Sequence, residues 1–569
     1  MAVAFTSDGA EKHPALGSLP GSEAKLSNEE DEHVIPENNI PVVFTGLMLA
    51  SFLAALDQTI VSTALPTIVA DLGGGENYSW VGSAYLIAAA ALSPAYGKLS
   101  DIFGRKQVFF PSIFLFLLGS ALCGAAKSMT WLILARALQG VGGGGVQQLV
   151  QIVIGDIVPL EKRGSYGSLS GSMWGIASVV GPVVGGTLAG RASWRWCFWL
   201  NLPTGAVATL ILFFFLKLNP HQGKNISEVV REFDFVGLFL LIGGVVCLLL
   251  GFNQSQNGCK WDRPTPIALL AVGAVTLLVG VAFEMWTKRS PIIPARLFRT
   301  RTTGLIFLTT FLHSFVFYSA TFYLPLYFQI RGASPIRSGV LIIPFAIFTS
   351  LTSALGGIAV TVLGDFRPPM WVAFAVMAIG FGLMITLDEN SKLVIEIVYS
   401  SIAGLGAGGF FLPPLIGLQA AMPVKDMATS SATFLLVKLL GSTIGISIGQ
   451  AIWSAVTRKQ LAKISGLTLD LSGAALVDNI AMLKTIEPDS VKQQVLHAYT
   501  KGVATVWLVS TPIVCACFVA TLVLKKYTLK RRVVRGGKSM HEVALERPGD
   551  LEDAMESHVQ VHKSGKVPK

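Results

Sequence analysis

Long apolar runs recur along this chain with only short polar connectors between most of them. A helix needs about 20 apolar residues to cross a hydrocarbon core roughly 30 Å thick, and only a structure that satisfies its own backbone hydrogen bonds survives there. Fourteen segments meet that criterion: 41–65, 79–97, 108–126, 131–153, 167–190, 197–217, 235–252, 266–286, 303–328, 338–362, 369–387, 394–418, 428–455 and 502–524. The expected fold is an all-α polytopic membrane protein. Composition agrees, because 52% of the residues are hydrophobic and 14% charged, whereas soluble domains carry roughly a quarter charged residues. A soluble enzyme is excluded on that ground.

The net charge of +10 does not point to nucleic acid, since Lys and Arg cluster in the connectors and form no stripe along one face. Connectors after the even-numbered runs, through the tenth, hold fourteen Lys or Arg against seven in the odd ones. Positive charge stays on the cytoplasmic side, so the even connectors and both termini are assigned there. The basic run Lys525, Lys526, Lys530, Arg531 and Arg532 agrees. Connector 456–501 is also basic yet falls outside, and long loops follow the charge rule poorly. Residues 1–39 are polar, carry the acidic run Glu29, Glu30, Asp31 and Glu32, and lack the layout of a signal peptide. They read as a disordered cytoplasmic tail, and residues 528–569 as a second one.

Cys123, Cys197, Cys247, Cys259, Cys515 and Cys517 show no paired spacing for a metal or a disulfide framework and read as packing residues. Gly140-Val-Gly142-Gly-Gly-Gly145 fits the glycine string of dinucleotide folds, but it sits inside an apolar run with no preceding strand. No phosphate-binding loop of the ATPase type occurs. The expectation is no nucleotide, no metal and no cofactor, with a gradient as the energy source.

Fourteen helices suggest two six-helix bundles plus two inserted helices: a first bundle at 40–220, an insert at 221–300 and a second bundle at 301–527 that includes the external loop 456–501. Internal symmetry is faint. Gly97-Lys-Leu-Ser100-Asp101-Ile102-Phe-Gly104-Arg105-Lys106, after the second run, has a worn counterpart after the tenth in Gly364-Asp365-Phe-Arg367-Pro368. Three further motifs accompany it: Leu56-Asp57-Gln-Thr59-Ile60 through Pro66-Thr67, Ala135-Arg136-Ala-Leu-Gln139-Gly140-Val-Gly142, and Gly181-Pro182-Val-Val-Gly185-Gly186. Trp194-Arg195-Trp196 through Asn201 and Gly205 follows the third.

On these residues the chain, from about residue 41 to 525, resembles the major facilitator superfamily and within it the fungal-type fourteen-span drug:proton antiporter branch. Ser100 and Ile102 stand where that family usually has Ala and Arg, and Ala177 and Ser168 replace two of its usual glycines. The resemblance implies that Asp101 and Arg105 latch the cytoplasmic side, with Asp156 as a partner for Arg105 and with Gly97 and Gly104 permitting close approach. A positive-inside topology anchor is the other reading of that loop. The resemblance also associates Gly181, Pro182, Gly185 and Gly186 with antiport, and ordinary glycine-rich packing explains the same residues.

Asp57 falls roughly 12 Å inside the first run and Arg136 roughly 8 Å inside the fourth, at about 1.5 Å per residue, so the two can meet at one depth. An ionised Asp at mid-helix costs about 2.5–3.5 kcal/mol; it must face a wet cavity, pair with a cation or hold a proton. Proton coupling through Asp57 and Arg136 is one reading, and a fixed ion pair orienting two helices is the other. For the substrate cavity the candidates are Trp174, Gln147, Gln151, His313, Phe315, Tyr318 and Phe322, since aromatic walls favour amphipathic solutes. Lipid-facing or core aromatics and interhelical hydrogen bonding by the glutamines are the alternatives. Lys438 reads as a snorkelling or paired structural lysine, with a second coupling or substrate-repelling group as the other option.

The function expected is proton-coupled export of drugs, toxins or metabolites by alternating access, from a monomer in the lipid bilayer of the plasma membrane. The alternatives are import of basic amino acids across a vacuolar membrane and a non-transporting sensor on a transporter scaffold.

Overall fold

The computed structural model describes residues 33–73, 80–218, 234–256, 264–287, 289, 293–423, 426–464, 476, 479–480, 483, 486–529 and 533–536. Most of both expected tails, the linker at 219–233 and residues 465–475 of the long connector lie outside that set. The helices are α1 (Ile40–Leu72), α2 (Trp80–Phe103), α3 (Arg105–Gly124), α4 (Met129–Ile157), α5 (Arg163–Arg191), the single turn α6 (Trp196–Trp199) and α7 (Asn201–Phe215). Then come α8 (Phe235–Gln256) and α9 (Pro264–Trp286). The second half is α10 (Arg301–Ile330), α11 (Pro335–Leu341), α12 (Ile343–Leu363), α13 (Arg367–Met384), α14 (Leu393–Gly409), α15 (Pro413–Ala421), α16 (Met427–Leu461) and α17 (Asp489–Leu522).

Local sequence sets the ends of these helices. Ser128, Thr300 and Ser334 accept hydrogen bonds from the backbone N–H groups of Trp131, Thr303 and Arg337 and so cap α4, α10 and α11. Prolines open α1, α12 and α15 at their first turns, where a missing N–H costs nothing. Gly104 and Gly364, at φ of 96° and 62°, turn the chain between α2 and α3 and between α12 and α13. Only glycine adopts that backbone without strain, and the two sites occupy matching places in the two halves.

Among the described residues, twelve helices are long and apolar enough to cross a membrane. The second and fourth expected runs fall on α2 and α4, which are long enough but not among those twelve. The apolar part of α2 is the shorter stretch Trp80–Ser93, whereas the shortfall of α4 has a packing cause. α4 replaces apolar bulk with Gly140, Gly142, Gly143, Gly144 and Gly145, where a Cβ would lie 2.3 Å from the Tyr85 carbonyl oxygen (Gly140) or 2.2 Å from the Phe116 nitrogen (Gly142). The glycine string is thus the surface on which α2 and α3 lie against α4, and no βαβ unit surrounds it.

Three expectations need correction. Helices α16 and α17 extend well past the expected 455 and begin well before 502, so the connector 456–501 shortens to 462–488. The tenth and twelfth runs are each broken in two, at Ile342 and at 410–412. The membrane part is all-α as expected, but the expected tails are not wholly irregular: β1 (His33–Pro36) pairs in parallel with β2 (Val533–Gly536), placing both described chain ends on one face, here termed the tail side. Asn38 joins them there by donating to the Lys217 carbonyl at 2.8 Å.

In the first bundle α1 packs on α5 and α7, and α4 on α2 and α3; in the second, α14 packs on α12 and α13, and α16 on α10 and α17. The bundles meet through α2 against α16 and α5 against α12, the second helix of each half against the fifth of the other. The inserted pair α8 and α9 lies outside this arrangement, with Val245 and Leu249 of α8 packed among Ala90 and Ala91 of α2 and Leu436 of α16.

Candidate functional site

Asp57 of α1 is completely buried inside the first bundle. Its Oδ2 accepts from an Arg136 guanidinium NH at 2.5 Å, and its Oδ1 accepts from Gln139 Nε2 at 2.7 Å and Asn201 Nδ2 at 2.9 Å. Both amides also donate to Ser120 Oγ, at 2.6 and 2.9 Å. Helices α1, α3, α4 and α7 are therefore joined at one carboxylate. The guanidinium has further partners that carry no charge: the Val81 carbonyl at 3.0 Å, Gln139 Oε1 at 2.7 Å, and the faces of Tyr85 and Phe198 with centroids at 4.6 and 5.8 Å. The expected pair is present, and it is enclosed on every side.

Asp57 is tied mechanically to the seam between the bundles. Two residues along α1, Thr59 donates to the Ala177 carbonyl of α5 at 2.9 Å, and a Cβ at Gly181 would lie 2.1 Å from Thr59 Oγ1. Gly185 accepts a long contact from Cys197 Sγ at 3.9 Å, whereas a Cβ at Gly186 would meet open space. Of the glycines assigned to antiport, Gly181 is the one wedged against α1. The Pro182 side chain lies outside the described set.

At the tail side Arg105 donates to Asp101 at 2.5 Å, to Asp156 at 2.8 Å and to Ser100 Oγ at 2.8 Å. Ser100, a departure from the family's usual Ala, thus adds an acceptor. Asp101 also accepts from Thr429 of the second bundle at 3.5 Å, and a Cβ at Gly97 would lie 2.7 Å from that of Ala432. Across the seam Ser165 N–H donates to Thr361 Oγ1 at 3.1 Å, and a Cβ at Gly164 would lie 2.1 Å from the Gly357 carbonyl oxygen. In the matching turn of the second half, Arg367 donates to Asp365 at 2.9 Å and Lys526 stands 3.7 Å away. Burial works against ionisation of Asp365, but the Arg367 hydrogen bonds and the two nearby cations hold its carboxyl below the ordinary carboxylate range.

The expected cavity residues do not form one surface. Gln151 donates to Ser170 Oγ at 3.2 Å and so ties α4 to α5, while the Gln147 Nε2 has no acceptor among the described residues. Trp174 packs beside Ala55, Leu56 and Ala177. Phe315 is buried where the α10 backbone touches Gly445, and Phe322 is 56% exposed. His313 and Tyr318 belong instead to an aromatic group around Phe317, His313 stacking on it at 6.1 Å and Tyr318 meeting its ring edge-on at 5.2 Å. Lys438 enters no ion pair among the described residues, and its ammonium lies over the Phe411 ring at 4.4 Å.

Two clusters were not anticipated. Arg163, read from sequence as a topology charge, is buried and donates to the Val158 and Gly155 carbonyls of its own bundle and to Gln419 Oε1 of the other at 3.1 Å. On the side away from the tails, Glu396 is buried against Arg331 at 3.0 Å and accepts from Tyr327 at 2.9 Å. An acid one turn inside an apolar run was the available signal for Glu396.

Residues 47–446 match the model of the Major Facilitator Superfamily. An uncharacterized MFS-type transporter of Schizosaccharomyces pombe is 37% identical over 527 residues, 91% of this chain and 88% of that protein. The efflux pump dotC of Dothistroma septosporum is 38% identical over 497 residues, covering 87% and 86% of the two chains. The efflux pump FUS6 of Gibberella moniliformis is 34% identical over 523 residues, covering 90% and 92%. Among solved structures, the human organic anion transporter MFSD10 aligns with a TM-score of 0.53 at 16% identity over 84% of this chain and 100% of its own. The proton:xylose symporter XylE aligns at 0.52 and 12% identity over 86% and 97%. At such identities these two structures speak to the fold alone.

Proposed function

Because the chain belongs to the major facilitator superfamily, whose members here are membrane transporters and not enzymes, we propose that it is a proton-coupled antiporter that exports small amphipathic organic molecules by alternating access. It is an integral multi-pass protein of a lipid bilayer, and efflux pumps stand among its fungal relatives at 34–38% identity. The reading takes all fourteen runs as spans, the tail side as cytoplasmic, the plasma membrane as the location, a monomer as the working unit and a proton gradient in place of any cofactor. The bundles 40–220 and 301–527 rock against each other, with 221–300 as an insert.

The observation that carries the reading is the enclosed carboxylate of Asp57 facing a guanidinium with neutral partners in reserve. When Asp57 takes up a proton, the Coulomb attraction to Arg136 is lost, while Arg136 keeps the Val81 carbonyl, Gln139 and two ring faces. The pair therefore has two tolerable arrangements, which a coupling element requires. Released from Arg136, α1 shifts, and Thr59 against Ala177 and Gly181 passes the shift to α5, whose tail-side end holds α12 through Gly164 and Gly357. The latch of Gly97, Asp101, Gly104, Arg105 and Asp156 holds the same side shut in the arrangement described. In this state the carboxylate is sealed, so proton exchange belongs to another point of the cycle.

Asp57→Asn is the test. Purified into proteoliposomes, the variant is expected to stay folded and to exchange substrate down its gradient, while accumulation driven by an imposed pH difference disappears. Undiminished pH-driven transport would reduce Asp57 and Arg136 to a fixed pair that orients helices.

A further inference from the structure

Lys438 sits eleven residues into α16, roughly 16 Å along the helix at about 1.5 Å per residue, too deep for its stem to reach the tail-side interface. The buried acids are matched by cations: Asp57 by Arg136 and Glu396 by Arg331. Lys438 enters no ion pair and no hydrogen bond among the described residues; its partner is the Phe411 ring. A cation–π contact leaves the ammonium's charge uncompensated, so the site as described can take one negative group.

What surrounds it is aromatic. Phe411 meets Phe317 edge-on at 5.0 Å and His313 at 5.3 Å. Phe317 in turn stacks on Phe345 at 5.9 Å and touches Tyr318 at 5.2 Å. His313 is held by a hydrogen bond with the Ala407 carbonyl at 2.9 Å. Lys438, Phe411, Phe317 and Tyr318 are each only partly enclosed, so the cluster borders open space and is not sealed core.

We propose that Lys438 and this aromatic cluster form the substrate subsite and that it selects organic anions with a flat apolar body, the carboxylate or phenolate on Lys438 and the ring against Phe411 and Phe317. This rests on the exporter reading and narrows its substrate class. It also disfavours basic amino acids, whose cationic side chains would meet an ammonium that has no acid paired with it among the described residues.

The test uses the full-length protein in lipid nanodiscs and equilibrium binding of three probes of one shape: naphthoate, its neutral amide and naphthylmethylammonium. The wild type should bind naphthoate about tenfold more tightly than the amide and the ammonium least of all. Lys438→Met should abolish that preference, with a cooperative thermal unfolding transition in detergent certifying the fold, and Lys438→Arg should keep it. Equal binding of naphthoate and amide by the wild type, or a preference that survives Lys438→Met, overturns the proposal. pH-driven transport without anion preference would remove this subsite and leave the exporter standing; anion preference without pH-driven transport would do the reverse.

Discussion

At Asp57 the question is which half of the ion pair the fold can spare. Asp57 without Arg136 keeps two amide donors but loses its only charge partner, and removing one side of a buried pair costs about 3–5 kcal/mol. Arg136 without Asp57 keeps four neutral contacts. Arg136→Gln is therefore expected to lower the thermal midpoint in detergent by more than Asp57→Asn does, and the double variant to be more stable than Arg136→Gln alone. Simple additivity of the two changes would mean that the groups are not coupled. Both residues were legible in the sequence because a charge inside an apolar run has few innocent explanations. Ser120 was not, since a serine in a membrane helix is ordinary and its role appears only when two amides converge on it. Arg163 was misread for the opposite reason: a basic residue at a span end satisfies the topology rule so well that burial against Gln419 has no separate sequence signal.

Among the helices, small residues decide which pairs touch. Gly97 of α2 lies against Ala428 and Ala432 of α16, with a Cβ there only 3.1 Å from the Ala428 carbonyl oxygen. A larger side chain has room only if the tail-side ends of α2 and α16 part. Gly97→Leu is expected to overpack this contact by about 1–3 kcal/mol, enough to move a two-state population by about 5- to 150-fold. Alkylation of a cysteine placed at Thr429, which sits in the same contact, should accelerate in the Gly97→Leu background; an unchanged labelling rate would mean that α2 and α16 do not separate. The same physics explains which elements the sequence revealed. Helices such as α8 and α9, which present apolar side chains all round, were placed within a few residues. α4 is low in hydropathy because its partner-facing side is rich in Gly and Gln, and α16 and α17 overran their apolar segments because a helix can continue into polar sequence once its core turns are packed.

For the whole molecule, the hydrogen bonds described between the bundles gather on the tail side: Arg163 to Gln419, Ser165 to Thr361 and Thr429 to Asp101. The bundles are thus clasped at one end, and the inserted pair packs on the outside of the α2 and α16 contact, where it can follow a rocking motion without blocking the seam. If alternating access runs through this clasp, tying it shut must stop turnover without destroying the site above it. Ser165→Cys with Thr361→Cys places thiols on two residues that already touch, the Ser165 backbone N–H lying 3.1 Å from the Thr361 hydroxyl, so a short reducible bifunctional reagent can join them. Cross-linking in proteoliposomes is expected to abolish transport while probe binding measured in detergent survives, and reduction should restore turnover. The single variants, treated alike, control for the native cysteines. Full transport by the cross-linked protein would mean that this seam never opens, and the alternation would have to be sought at another contact.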